Sequence, residues 1–558
     1  MQQNDASSEI RARLTAPGAP FELTETVAGG VSQRLYRNAP KTFPELLNAA
    51  RSHGDKPYIV YRGETWSFNR VFREADALAA HMQSWGVKPG DRVAIAMRNR
   101  PEWGVAFIAA AMIGAIPAPL NSFGLKQELS VALSDIDVSV LFCDPERLDR
   151  LGGYSGRHVV VEGDVLGSEG YVYADLVAAE LPPFVAPQLA ADDPALILFT
   201  SGATTRAKGV LSSQQAVCQA LVNIDYIGAL CAMASPQVVA AMMARQLPPT
   251  ILTAVPLFHV SGLMAQLLSA LRNGRRLVFM HRWDPAEAIN MIRAEKITQF
   301  NGAPAMAMQL IADPRFGDPE WTGSLGGVGF GGGGLPQRLI DEVLARMPNS
   351  MSGIGFGMTE TNGTGTAASG DLFRAQPRSS GLVSPLVDLR IVDEVGNPLP
   401  SGEPGEICLR GASMMQGYWN DSEATRATIR DGWLHTGDIG YLDAQGYLFV
   451  IDRIKDVINR FGEKIAAAEV ESCLLDLAGV EETAVFALPD DVSGEAVCAA
   501  IVLRAGVKLD VADVQSHVAS RLAAYKVPTK VYIRADPLPR NPAGKLLKRS
   551  LRKEYLQT

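Results

Sequence analysis

From Phe43 onward, apolar residues recur in two alternating rhythms, one with helical spacing and one of short strand-like runs. Phe43 to Ser52 carries helical spacing, Tyr58 to Tyr61 reads as a strand, and Ser67 to Trp85 is a long amphipathic pattern that stops at Gly86. The turn Lys88-Pro89-Gly90-Asp91 then leads into a strand at Arg92 to Met97. Further strand-like runs lie at Val138 to Cys143, Val159 to Val161, Ala195 to Phe199, Leu252 to Val255 and Arg276 to Phe279. Helices and strands in this alternation predict an α/β architecture with largely parallel sheets. The longest apolar run, Val105 to Leu120, is too short for a bilayer span and is broken by Pro117 and Pro119. It reads as a buried helix leading into a strand.

After about Ser380 the texture changes to short strands separated by turns such as Gly396-Asn397-Pro398 and Ser401-Gly402-Glu403-Pro404-Gly405, the signature of a small β-rich subdomain. Beyond Arg453 the pattern is α+β: a helix at Ala468 to Leu477, strands at Glu482 to Ala487 and Ala496 to Leu503, and a helix at Val511 to Leu522. A boundary near Asp452 to Lys455 divides the chain into 1–452 and 453–558. Several lobes are expected in any case, since 558 residues exceed the roughly 250 to 300 that one core supports. No fixed-period repeat is present.

Composition narrows the function. With 47% hydrophobic and 20% charged residues the chain is an ordinary globular one. A net charge of -8 speaks against nucleic acid as a main partner. The basic cluster Lys545, Lys548, Arg549, Arg552 and Lys553 reads either as a solvated helix face or as a phosphate contact. The six cysteines are scattered, with no C-x-x-C pair and no neighbouring His at ligand spacing, which points to a reducing compartment without structural zinc. The N-terminus lacks the basic-then-apolar plan of a signal peptide, so a cytoplasmic protein without a transmembrane segment is expected.

Candidate chemistry starts at Leu196 to Val210, an apolar strand followed by a loop of small and hydroxyl residues ending in Lys208-Gly209. Backbone N–H groups and hydroxyls in such a loop can wrap a polyphosphate, and the lysine adds a compact positive charge. It is not a Walker A loop, because Gly209 stands where Ser or Thr would follow the lysine. Taken alone, it reads better as an ordinary Ser/Thr/Gly-rich surface loop. Downstream, in order, stand Phe356-Gly357-Met358-Thr359-Glu360, Trp433 to Gly440 with the string Trp-Leu-His-Thr-Gly-Asp, Asp452-Arg453-Ile454-Lys455-Asp456, and Pro539 to Lys545.

With Pro256-Leu257-Phe258-His259 and Tyr525-Lys526-Val527-Pro528, these motifs resemble the acyl-activating, AMP-forming superfamily over roughly Phe43 to Arg552. The resemblance implies a large N-terminal domain of two α/β sheet subdomains plus a small β-rich one, followed by a small mobile α+β C-terminal domain. It implies ATP, Mg²⁺ and coenzyme A as the small molecules used, and an acid–thiol ligase as the activity. Thr200, Ser201, Gly202, Thr204 and Lys208 are then the phosphate loop. Thr359 and Glu360 are the phosphate-contacting hydroxyl and the Mg²⁺ carboxylate, an oxygen ligand of the kind a hard ion prefers. Phe356 and Gly357, with Gly332 and Gly333 of the run Gly331 to Gly334, meet the adenine; Phe356 stands where relatives usually carry Tyr. Asp438 accepts from the ribose, supported by Arg453. Lys545 stabilises the charge that develops in the first step. Lys455 is the hinge of a domain rotation that brings Gly462 to the acyl adenylate for the second step, and His259 gates the passage between ATP and acid.

The phosphate loop departs from the pattern at Ala203, Thr205 and Ala207, Ser213-Gln214 replaces Thr-His, and Ala467 replaces a common Pro. Lys208, Glu360, Asp438, Arg453 and Lys545 are all retained, so activity is expected. The Ala- and Met-rich run Ile227 to Leu252 and the small residues Gly302-Ala303-Pro304 suggest an apolar acid, whether fatty, aryl or a steroid side chain. Core packing explains the same residues equally well. A carrier protein in place of coenzyme A, a non-catalytic nucleotide or acyl sensor, and a homodimer stay open as alternatives.

Overall fold

The computed structural model describes every residue except 1, 29, 164–166, 201–206, 332–334, 336, 364, 542–543 and 557–558, and leaves aside the side chains of 2–6 and 28. Sequence and structure agree closely in the first α/β unit. Ser67 caps the helix Phe68–Ser84 by accepting from the Arg70 N–H, and Gly86 adopts φ +86 just past its end. The apolar run Val105 to Leu120 resolves into the buried helix Pro101–Met112 and the strand Ile116–Pro119. That strand begins an all-parallel five-stranded sheet with Arg92–Ala96, Val138–Cys143, His158–Val160 and Gly170–Val172.

A nine-stranded sheet forms the second α/β unit. Its inner strands Arg276–Phe279, Thr250–Thr253, Gln299–Gly302, Gly327–Gly331 and Gly353–Phe356 run parallel, while Thr366–Ser369, Leu382–Val383 and Glu64–Ser67 are antiparallel at the edges. Loops at the carboxyl ends of such parallel strands form the ligand crevice, and the candidate residues 302–304, 329–331 and 356–360 lie at or just beyond those ends. The β-rich region is a five-stranded antiparallel sheet built on Val387–Val392, Gly405–Gly411, Trp433–Leu442 and Leu448–Arg453. The last unit carries the ten- and eleven-residue strands Gly494–Leu503 and Val480–Asp490, longer than the sequence pattern indicates.

Two features escaped the sequence pattern. Helix Gln2–Thr15 and the hairpin of Leu23–Ala28 with Val31–Tyr36 pack on the large domain, where Tyr36 is buried and its hydroxyl donates to Asn223 Oδ1 at 2.8 Å. Helix Gln214–Ala234 passes the length and hydropathy test for a membrane span, which the sequence reading assigned to no segment. It is a core helix: Val217, Cys218 and Leu221 pack into one apolar cluster, Val222, Tyr226 and Leu230 into another. The C-terminal basic cluster is not one solvated face either, because Lys548 pairs with Glu471 at 2.8 Å and Arg552 approaches Glu495 at 3.8 Å.

Candidate active site

Strand Pro194–Phe199 runs into the phosphate loop and strand Gly209–Ser213 returns antiparallel, with Phe199 opposite Gly209. At the loop's base the Thr200 N–H donates to the Lys208 carbonyl at 2.9 Å, and the Lys208 N–H donates to Thr200 Oγ1 at 3.2 Å. Ser201, Gly202 and Thr204, with the atypical Ala203 and Thr205, lie outside the described residues, as do Gly332 and Gly333. Lys208 Nζ sits 4.7 Å over the ring of Tyr418, whose strand Gly417–Tyr418 pairs with the returning strand at Val210. The Tyr418 hydroxyl donates to Glu360 Oε1 at 2.8 Å, so lysine, tyrosine and carboxylate form one row. Burial, then the Glu360 charge, pushes the Tyr418 hydroxyl above its usual range, so it stays a donor.

Glu360 lies in a single 3₁₀ turn, Thr359–Thr361, just after strand Gly353–Phe356. Asn362 closes the turn at φ +53, and its side chain accepts from Ser212 Oγ at 2.9 Å and donates to the Ser413 carbonyl at 3.0 Å. The Met415 N–H donates to the Glu360 carbonyl at 2.8 Å. Glu360 is thus buried and held from both sides, with Thr359 and Phe356 half-buried beside it. Tyr418→Phe keeps the cation–π contact but removes the donor to Glu360. With a hydrogen bond to a charged group worth about 1.5 to 3 kcal/mol, the variant is expected to lose stability on that scale, with a lower melting temperature, and KM for ATP·Mg²⁺ is expected to rise as Glu360 loses its fixed orientation. Steady-state kinetics with calorimetry would check both.

Asp438 and Arg453 face each other on neighbouring antiparallel strands, Arg453 Nε lying 3.1 Å from Asp438 Oδ1. Burial pushes the Asp438 carboxyl up, while Arg453 and Lys545 pull it down. Glu406, which the sequence reading did not single out, supports the Asp438 strand by accepting from the Gly437 N–H at 3.2 Å and pairing with His435 Nδ1 at 2.8 Å. Cys408 approaches the same His435 nitrogen at 3.4 Å, because cross-strand register brings together residues 27 apart in sequence. The Glu406, Cys408 and His435 donor atoms lie within 4.8 Å of one another, a grouping that local Cys and His spacing could not reveal. Burial holds the Cys408 thiol up at about 11. With Arg430 3.6 Å from Glu406, the group forms a hydrogen-bonded support for the strand that carries Asp438.

Lys545 reaches the same place from the C-terminal unit. Asn541 clamps its loop: the Asn541 N–H donates to the Lys545 carbonyl at 2.8 Å, and the Lys545 N–H donates to Asn541 Oδ1 at 2.9 Å. Gly544 has φ +82, and a Cβ there would lie 3.0 Å from Ala303 Cβ, so glycine lets the loop close on the turn after Gln299–Gly302. Desolvation, followed by the Arg453 charge, pulls the Lys545 amine down to about 8, against the raising influence of Asp438 and Glu360. His259 caps the helix that starts at Val260, and a Cβ on Gly262 would meet the Pro256 carbonyl at 2.3 Å, so the Pro-Leu-Phe-His turn requires that glycine. Burial, then Lys545, holds the His259 imidazole down to about 4, so it is neutral at physiological pH. Its Nε2 is buried without a partner among the described residues.

The structure therefore gathers Lys208, Glu360, Asp438, Arg453, Lys545 and His259. Lys455, in the turn Ile454–Asp456, borders the group: desolvation, then Arg453, lowers its amine. Gly462 stands apart. It occupies an exposed hairpin tip at φ +83 with no atom within 4 Å of where a side chain would begin, next to the exposed Phe461. Of the Ile227 to Leu252 run, helix Pro236–Ala244 turns Met243 outward, 74% exposed, and does not line the cluster.

The family described as AMP-binding enzyme matches residues 46–419, and its companion, AMP-binding enzyme C-terminal domain, matches 469–545. A 4-coumarate–CoA ligase of Oryza sativa subsp. japonica is 32% identical over 88% of this chain and 89% of its own. A feruloyl-CoA synthase of an Amycolatopsis species is 33% identical over 91% of this chain and 98% of its own. The crystal structure of ATP-bound MatB from Rhodopseudomonas palustris superposes with a TM-score of 0.80 at 28% identity, covering 91% of this chain and 99% of that one.

Proposed function

The chain belongs to the AMP-binding enzyme family, and from that premise we propose that its buried cluster activates an apolar, fatty or aryl carboxylic acid for transfer to the thiol of coenzyme A. The enzyme is an AMP-forming acid–CoA ligase. In the first step a carboxylate oxygen attacks the α-phosphorus of ATP, the bond to the bridging oxygen breaks, and pyrophosphate leaves. In the second the thiol, losing its proton, adds to the acyl carbonyl and AMP departs.

The observation that carries the reading is the convergence of Lys545 with Asp438, Arg453 and Glu360, visible in the charges that set its proton affinity. A desolvated ammonium beside the ribose carboxylate is preorganised for the negative charge that develops between carboxylate and α-phosphate. Lys208 serves the phosphates, Asp438 orients the ribose hydroxyls with Arg453, and Thr359 offers a hydroxyl at the mouth of the turn. Glu360 has one oxygen committed to Tyr418, leaving the other for a cation. Mg²⁺, which suits a single carboxylate plus substrate phosphates, would neutralise phosphate charge there. Neutral His259, next to Lys545, can accept or donate one hydrogen bond at the acid's entrance but carries no charge.

The test is acid-dependent pyrophosphate and AMP formation from ATP and Mg²⁺ with a panel of fatty and aryl acids, each with coenzyme A and with a carrier-protein thiol. Thioester formed with the carrier and not with coenzyme A would reassign the acceptor; ATP binding without acid-dependent turnover would favour the sensor. The pH profile adds a check. The Lys545 amine is charged below about 8 and neutral above it, so kcat/KM is expected to fall as pH rises through 8. Lys545→Arg should lower the plateau but move that basic limb beyond pH 10, whereas an unmoved limb would assign it elsewhere.

A further inference from the structure

Helix Ala467–Leu475 begins without the residues that ordinarily start one. Its N-cap, Ala466, has no side chain able to accept a hydrogen bond, and Ala467 takes the first helical position, where proline is favoured. Such a start leaves N–H groups of the first turn without partners inside the helix. One of them is satisfied from sixteen residues back: the Ala468 N–H donates to Asp452 Oδ2 at 3.0 Å. Ala468 holds the second helical position, whose N–H a capping side chain at 466 would take. Asp452 therefore does for this helix what Ala466 cannot, and its charge complements the positive end of the helix dipole.

The two partners lie in different domains. Asp452 is in strand Leu448–Arg453, which pairs with the strand that carries Asp438. The helix belongs to the last unit, where Ala467, Val470, Cys473 and Leu474 are buried in its core. Between them come the turn Ile454–Asp456, which holds Lys455, and the hairpin of Ile458–Arg460 with Glu463–Ile465. Lys548 strengthens the tie. It pairs with Glu471 of the same helix at 2.8 Å, and although burial lowers its amine, Glu471 and then Asp452 raise it above its ordinary value. Farther out, Lys464 of the hairpin pairs with Glu394 of the β-rich region, an exposed contact of little strength.

Lys545 depends on this docking. It is carried by the C-terminal unit, while Asp438 and Glu360, whose charges reach its amine, belong to the large domain. A C-terminal unit displaced about the turn Ile454–Asp456 takes Lys545 away from both and separates Ala468 from Asp452. We propose, on the premise of the ligase reading, that Asp452 is a positioning residue for adenylation: by capping helix Ala467–Leu475 across the interdomain turn, it docks the C-terminal unit with Lys545 at the reaction centre. Thioester formation develops no phosphate charge for Lys545 to stabilise and does not need that docking.

The test follows each half-reaction by quench in the native enzyme, in Asp452→Ala, in Asp452→Asn and in the double variant Asp452→Ala with Ala466→Ser, alongside hydrogen exchange at the Ala468 amide. Asp452→Ala is expected to slow acid-dependent pyrophosphate release about tenfold, inside the roughly 2- to 30-fold span of a capping bond, while thioester formation from supplied acyl adenylate stays within about twofold. KM for ATP is expected to stay within about twofold. A rise in step with the lost rate would place the effect in Arg453, whose N–H donates to Asp452 Oδ1 at 2.8 Å, and would overturn the proposal. Asp452→Asn, whose amide oxygen caps about as well, is expected to keep the rate within about threefold. Ala466→Ser gives the helix a cap of its own, so the double variant is expected to recover the Ala468 protection and the melting temperature but not the pyrophosphate rate. Recovery of that rate, or equal slowing of both half-reactions, would show a role in helix stability alone and overturn the proposal. Where Asp452→Ala does not fold, the double variant carries the comparison. An active native enzyme whose variants keep both rates overturns only the role of Asp452, whereas a native enzyme that releases no pyrophosphate with any acid overturns the ligase reading with it.

Discussion

Lys545→Ala is expected to slow acid-dependent pyrophosphate release by about a hundred- to a thousandfold, the cost of removing one preorganised charge from a desolvated site. Conversion of a supplied acyl adenylate and coenzyme A into thioester and AMP should stay within about twofold, because no phosphate charge has to be stabilised in that step. The loop is clamped by backbone atoms of Asn541 and Lys545 and by the Asn541 side chain, none of which the substitution removes. Its fold is also relieved of a desolvated amine that the surroundings hold down to about 8. Unchanged or slightly raised thermal stability is therefore expected alongside the lost adenylation. Equal losses in both half-reactions would show that Lys545 does not act selectively on the first.

Much of this site was legible because its chemistry is carried by short local strings. Phe356 to Glu360 sets Glu360 in the 3₁₀ turn after a strand, Trp433 to Gly440 sets Asp438 within the strand Trp433–Leu442, and Pro539 to Lys545 ends in the loop clamped by Asn541, so each string carries its reactive side chain locally. What supports those side chains was not legible. Tyr418 reaches Glu360 only because strand Gly417–Tyr418 pairs with Gly209–Ser213. Asn362, Ser212 and Ser413 meet across 150 and 51 residues of chain. Glu406 and Cys408 find His435 through register between antiparallel strands, which no linear spacing reports. The N-terminal helix was missed for a different reason: Gln2–Thr15 is too polar to show an apolar stripe, and its place comes from packing against a helix some 200 residues away. The helix Gln214–Ala234 shows the reverse problem, since an all-round apolar sequence is the same whether lipid or two protein cores surround it.

Gly462→Leu is expected to do the opposite of Lys545→Ala. In this conformation the hairpin tip at Phe461-Gly462 projects into open space, Phe461 at φ +53 and Gly462 at φ +83. A leucine there meets no neighbour, and its positive φ costs about 1 to 2 kcal/mol of local strain at a position remote from the Lys545 cluster. Adenylation should therefore change by no more than about threefold. If the C-terminal unit turns about Lys455 between steps, carrying Lys545 out and the hairpin tip in, the branched side chain would occupy the path of the thiol. Thioester formation from supplied acyl adenylate should then fall about a hundredfold or more, the scale on which small misplacements of reacting groups act. Gly462→Ala separates the two causes, since it carries nearly the same backbone strain with little bulk and should keep most of the second step. Stopped-flow or quench measurement of each half-reaction in the three proteins decides the matter. Equal slowing of both steps would point to strain alone, and no slowing of the second would mean that the tip stays in solvent throughout turnover and that the thiol reaches the adenylate by another path.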